Sequence, residues 1–178
     1  MILPLVYYGD PFLRKKSIPV TEVTDDVRQL VRDLIETVHS QRGVGLSCPQ
    51  VRREEAIFVV CDWKRGPEGE WIPFGEKAYI NLKILEHSQE LGSENQGCLS
   101  IPGIYMDVFR PLKIKFQYMD LEGKTHIEEA EGYDAQVIMH ENDHLNGVLF
   151  IDRLTPKERS KIEPKLREIK KKYAHTYK

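Results

Sequence analysis

No apolar run in the 178 residues approaches the ~20 that a membrane-spanning helix needs, which excludes a helical integral membrane protein. The opening stretch, MILPLVYYGDPFLRKK, has no basic residue ahead of its short apolar segment and carries Pro4 and Asp10. It is unlike a secretory leader, and a cytoplasmic protein is expected. Cysteine is scarce: Cys48, Cys61 and Cys98 form an odd set without the spacing of a disulfide framework. A special cysteine here is therefore expected to bind metal or to react. Repeats and low-complexity tracts are also missing, which excludes solenoids and flexible arrays. The net charge is only −2, too small for a global attraction to nucleic acid.

The composition, 40% hydrophobic and 30% charged, is that of a globular chain, and its length predicts one domain over residues 1–178. Charge is unevenly spread. From Lys157 on there are nine Lys/Arg against three Glu, so a tail of net +6 follows a body of net −8.

Apolar residues at three-and-four spacing from Val27 to Val38, behind Thr24 and two aspartates, predict a first amphipathic helix with Gly43 as its stop. Residues 56–62, 78–85 and 112–119 read as strands. The last enters the turn DLEGK and a return strand, which together make a hairpin. YDAQVIMHENDHLNG has helical periodicity and closes on Asn146-Gly147, a good helix stop. Thr155-Pro156 starts a final basic helix, assigned to residues 156–178, with Ile162, Leu166, Ile169 and Tyr173 on one stripe. The expected class is α+β: small antiparallel or mixed sheets packed around a central metal-binding helix, with helices at both ends.

The sharpest chemical signal is His140-Glu-Asn-Asp-His144 on that central helix. Residues four apart share a helix face, so both imidazoles can address one ion, while Glu141 lies about 100° round, beside them. A third ligand decides the class. The position where a histidine would extend the motif holds Phe150. Glu163 lies downstream, beside Pro164 in the charged tail, a poor place for a buried ligand. Among the cysteines Cys98 stands out in QGCLSIPG, a tight glycine-flanked segment read as part of a polar loop. One thiolate with two imidazoles leaves a tetrahedral corner free, as in catalytic rather than structural sites.

GVGLSCPQ, QGCLSIPG and HENDHLNGVLF, taken together, resemble the three signature motifs of the peptide deformylases, in the family's order and approximate spacing. The likeness runs from YYGDPFLRK to FIDRL. It implies a hydrolase that removes the N-formyl group from the initiator methionine of new polypeptides and releases formate. By the same resemblance Glu141 serves as general base and then acid, while the Gln50 side chain and the Leu99 backbone N–H stabilise the oxyanion. The Gly43-Val44-Gly45 backbone would run beside the substrate as an added strand. Tyr133, Gln136 and Val137 precede His140 on its helix face and, with Val44, are expected to line a slot for the methionine side chain.

Ligand types alone favour zinc; the resemblance implies ferrous iron in the cell, in a site that also accepts Zn2+, Ni2+ or Co2+. Some positions depart from the family's usual residues. Gln96 stands where a glutamate is usual and could have paired with an arginine such as Arg110, Gln136 where an apolar residue is usual, and Tyr105 where an arginine is often found. Ser47 and Cys48 replace common alanines. The basic tail suggests docking on the ribosome by salt-sensitive contacts. Two competing readings are a metallopeptidase using Glu163 as third ligand, and a non-catalytic, metal-stabilised ribosome-associated module.

Overall fold

The computed structural model describes residues 1–177; the last position of the expected basic tail, Lys178, lies outside them. Helix α1 (Asp25–Ser40) begins where the Thr24 hydroxyl accepts the Val27 N–H at 3.3 Å. Its apolar stripe, Leu30, Val31, Leu34 and Val38, is buried against β1 (Gly45–Ser47) and β2 (Ile57–Arg65). The predicted stop falls one residue early. Arg42, at φ +53°, is the left-handed residue, and the Gly43 N–H returns to the Val38 carbonyl at 2.9 Å. Gly43 is needed for a different reason, since a Cβ there would lie 3.0 Å from a Leu99 methyl.

The long strand β3 (Trp71–His87) follows, then β4 (Leu91–Cys98), β5 (Ile101–Pro111), β6 (Lys113–Met119) and β7 (Thr125–Glu131). The larger sheet has the order β1-β2-β3-β6-β7, while β4 and β5 form a separate two-stranded ribbon. All named pairs are antiparallel, and among the described residues parallel pairing is confined to an isolated bridge between Ile18 and Glu55. The architecture is α+β, as expected. The ribbon is the main surprise: LGSENQGC has no apolar alternation and reads as a loop. It is held instead by backbone pairing to β5, whose Ile101, Ile104 and Val108 reach the core.

Helix α2 (Tyr133–Leu145) lies between the two sheets and ends as its sequence predicts. Gly147 takes φ +71°, and the Val148 N–H returns to the Asp143 carbonyl at 2.9 Å. Helix α3 (Pro156–Lys172) starts with a reciprocal cap between Thr155 and Glu158 and buries Ile162, Leu166 and Ile169 against β5 and the segment after α2. It stops short of the predicted end, giving way at Tyr173 to a short 3-10 turn, Ala174–Tyr177. Among the described residues no helix is long and apolar enough to cross a membrane.

Candidate metal centre

Helical geometry sets the first half of the site. His140 and His144, one turn apart on α2, have ring centroids 5.2 Å apart. The second half comes from the end of β4, where the ribbon delivers Cys98 with Sγ 3.4 Å from His144 Nε2. One ligand atom from each of Cys98, His140 and His144 lies within 4.8 Å of the others. Burial pushes both imidazoles toward the neutral form that ligates, His140 well below its usual value and His144 down to about 4. Burial also pushes the Cys98 thiol up to about 12.

The donor set fits a borderline divalent cation. One sulfur and two ring nitrogens converge, while the buried His144 Nδ1 and Glu141 Oε2 have no hydrogen-bond partner among the described residues. His140 is oriented from behind: its Nδ1 lies 3.3 Å from Gln96 Oε1, which leaves Nε2 for the ion. Phe150, the residue that denies the helix motif a third histidine, packs its ring on that of His140 at 5.9 Å between centroids. Glu163 is not part of the cluster and instead accepts from Arg159 one turn earlier in α3, at 3.2 Å.

Glu141 is buried beside these three donors, and burial raises its carboxyl to about 8. Gln50 is held rigidly. Its Oε1 accepts from the Ser47 N–H and hydroxyl, each at 3.0 Å, so its amino group must face inward, toward Ser100 Oγ at 3.2 Å and Cys98 Sγ at 3.5 Å. Ser47 thus fixes the amide. Cys48 is a fully buried thiol, and its burial raises its pKa far above the usual range.

These groups open onto a cleft of about 430 Å³ lined by Val44, Gly45, Leu99, Tyr133, Gln136 and Val137 among others. Val44 and Tyr133 are exposed at its rim, while Gln136 is buried in its wall. The structure also brings Tyr7 and Tyr173 to the mouth, stacked at 3.7 Å, a pairing across 166 residues that carries no local sequence signal. A second feature invisible in the sequence is the anchor beneath the site. Asp143, inside the histidine motif, accepts from buried Arg110 at 2.7 Å and from both Nε and Nη2 of Arg153 at 2.7 Å. Its only sequence signal is its place between the two histidines.

Two imidazoles and a thiol converging beside a buried carboxyl, at the bottom of an open cleft in an α+β fold, define a metal-dependent hydrolase. A sequence model of the polypeptide deformylase family matches residues 2–160. A peptide deformylase of Thermotoga sp. (strain RQ2) is 41% identical over 162 residues, 91% of this chain and 93% of that protein. One of Nitrobacter hamburgensis is 38% identical over 170 residues, 96% and 97% of the two. The crystal structure of the Plasmodium falciparum peptide deformylase superposes with a TM-score of 0.88 at 36% identity, covering 98% of this chain and 99% of that one. That of Thermotoga maritima gives 0.78 at 39% identity over 88% and 99%. The chain belongs to the polypeptide deformylase family, hydrolases that remove the formyl group from new polypeptides.

Proposed function

We propose that Cys98, His140 and His144 hold the metal of this deformylase and that Glu141 carries its proton transfers. The observation behind this is the convergence of the three donor atoms within 4.8 Å beside a buried carboxyl. Once bound, the cation supplies Lewis-acid polarisation and acidifies the attacking water. Glu141 takes the water's proton as it attacks the formyl carbon and returns it to the departing α-amine. A carboxyl held near neutral pH suits both directions of transfer. The Gln50 amino group, aimed inward by Ser47, and the Leu99 backbone N–H receive the developing oxyanion.

Strand β1 pairs with β2 along one side only, and its other edge borders the cleft. The substrate backbone adds along that edge at Val44 and Gly45, a contact that tolerates any sequence beyond formyl-methionine. The methionine side chain enters between Val44, Tyr133, Gln136 and Val137. The metal is Fe2+ in a cytoplasmic enzyme, with Zn2+, Ni2+ or Co2+ accepted in its place. Helix α3 turns Lys157, Lys161, Lys165, Arg167, Lys171 and Lys172 outward, a cationic face suited to docking on ribosomal RNA near the emerging substrate.

The test is formate release from a formylated Met-Ala peptide by iron-loaded protein prepared without oxygen, with metal content measured on the same batch. Glu141→Gln should keep its metal and lose about 10²–10⁴-fold in rate. Cys98→Ala should lose both metal and activity, and Glu163→Ala neither. A Glu163→Ala protein without metal, or an active Glu141→Gln, overturns the assignment. For the docking face, joint replacement of the exposed Lys157, Lys161 and Lys165 by glutamate should weaken ribosome association at low salt and leave turnover of the short peptide unchanged.

A further inference from the structure

The polar side chain of Gln136, buried in the wall of a cleft meant for an apolar methionine, has a defined set of partners. Its Nε2 donates to the Gly92 carbonyl at 3.1 Å. Its Oε1 accepts from Gln96 Nε2, the shortest contact that Gln96 makes. Gln96 Oε1 in turn accepts from Arg110 Nη2 at 3.3 Å and lies 3.3 Å from His140 Nδ1. Arg110 is held by Asp143 at 2.7 Å.

This chain of bonds has one permitted direction. A guanidinium has only donors, so Gln96 must turn its oxygen toward Arg110 and its amino group toward Gln136. Gln136 must then present its oxygen to Gln96 and its amino group to the Gly92 carbonyl, which can only accept. With the Gln96 oxygen so placed, His140 carries its proton on Nδ1 and keeps Nε2 free. The two contacts at that oxygen are long, 3.3 Å each, so the amide depends on its other end for its orientation. Without an acceptor at position 136, the buried Gln96 amino group would be unpaired, and the amide would rotate to find another partner, taking its oxygen away from His140.

We infer that Gln136 is a positioning residue for the metal ligand His140, acting through Gln96, and that the pair of amides is interdependent. The inference rests on the reading of His140 as a ligand. A glutamate at position 96 would need no such acceptor, because both its oxygens accept. Facing Gln136 it would set oxygen against oxygen, either at Gln136 itself or, after that amide turns over, at Gly92.

The test is Zn2+ affinity, measured by chelator competition on metal-free protein with no substrate present, so that any direct contact of Gln136 with substrate is not read. Four proteins are compared: wild type, Gln136→Met, Gln96→Glu and the double variant. In the wild-type background, the Gln136→Met change should weaken Zn2+ binding tenfold or more, within the 10–100-fold range for partners behind a ligand. In the Gln96→Glu background, the same change should cost less than threefold. Equal losses in the two backgrounds, or a Gln136→Met protein that binds as wild type and merely melts lower, would overturn the inference. If Gln136→Met alone does not fold, the double variant decides: folded with near-wild-type affinity it supports the coupling, and unfolded or weak it refutes it. A His140→Ala protein that binds Zn2+ like wild type would instead refute the ligand assignment itself, a separate failure.

Discussion

Gly45 and Glu141 touch so closely that a Cβ on the glycine would stand 2.7 Å from Glu141 Oε1 and 2.9 Å from its carboxyl carbon. The edge strand β1 and helix α2 are thus matched at Gly45 and Glu141, where only a residue without a side chain fits, and on the proposed mechanism this is where proton transfer and substrate backbone meet. Gly45→Ala is expected to turn the carboxyl aside and lower kcat by about 10²-fold, the scale set by misplacing a reacting group. The melting temperature should fall by only a few degrees. A steady-state assay beside a thermal melt checks both.

The metal-free protein should be most stable near pH ~6.5, the ordinary value of a free imidazole. Above that point the folded chain keeps a proton on Glu141, raised to about 8, that the unfolded chain has already lost at its ordinary 4.5. Stability therefore falls as pH rises toward 8, by up to about 1.4 kcal/mol per pH unit. Below 6.5 the unfolded chain takes up protons on His140 and His144, which burial keeps neutral in the fold, and stability falls as pH drops toward 4. These two histidines outweigh the opposing contribution of Glu141 in that range. In Glu141→Gln the decline between 6.5 and 8 should vanish, as denaturant titrations across pH would show.

Ser47 holds the Gln50 amide through its backbone N–H and its hydroxyl, so on the proposed role of Gln50 it acts at one remove. Ser47→Ala removes the hydroxyl donor to Gln50 Oε1 and leaves the backbone one, so a loss in kcat of less than tenfold is expected. Gln50→Ala removes the inward amino group and should cost about 10²–10³-fold, as loss of an oxyanion donor does. If Ser47→Ala proved as damaging as Gln50→Ala, the amide would not be held chiefly by the backbone.

Asp143→Ala leaves Arg153 without its fork and a fully buried Arg110 without its counter-charge. A stability loss of about 3–5 kcal/mol is expected. Adding Arg110→Met should recover part of it, since an apolar side chain of similar reach needs no partner. Urea unfolding of the single and double variants measures the difference.

The helices were legible because their signals are local. Thr24, Thr155-Pro156 and Asn146-Gly147 mark ends through bonds that span only a few residues. The ribbon β4–β5 was not legible, because LGSENQGC is strand only by virtue of the partner it pairs with. Likewise Gly43 reads as a helix stop when the left-handed turn is at Arg42, and its real constraint is a distant leucine. Gln96 and Gln136, taken one at a time, read as isolated departures. Only their contact, across 40 residues, makes each the reason for the other.

The sequence by itself determined the periodicities, the caps and the pair of histidines one helical turn apart, since each follows from backbone geometry over a few residues. It also carried three short motifs dense enough to name a family. Tertiary structure alone decided that Cys98 closes on His144, that Glu141 rests on Gly45, and that Asp143 directs its charge to two arginines and away from the cysteine–histidine cluster. Those outcomes depend on which distant surfaces pack together, and the burial they create keeps His140 and His144 neutral and raises the Glu141 carboxyl.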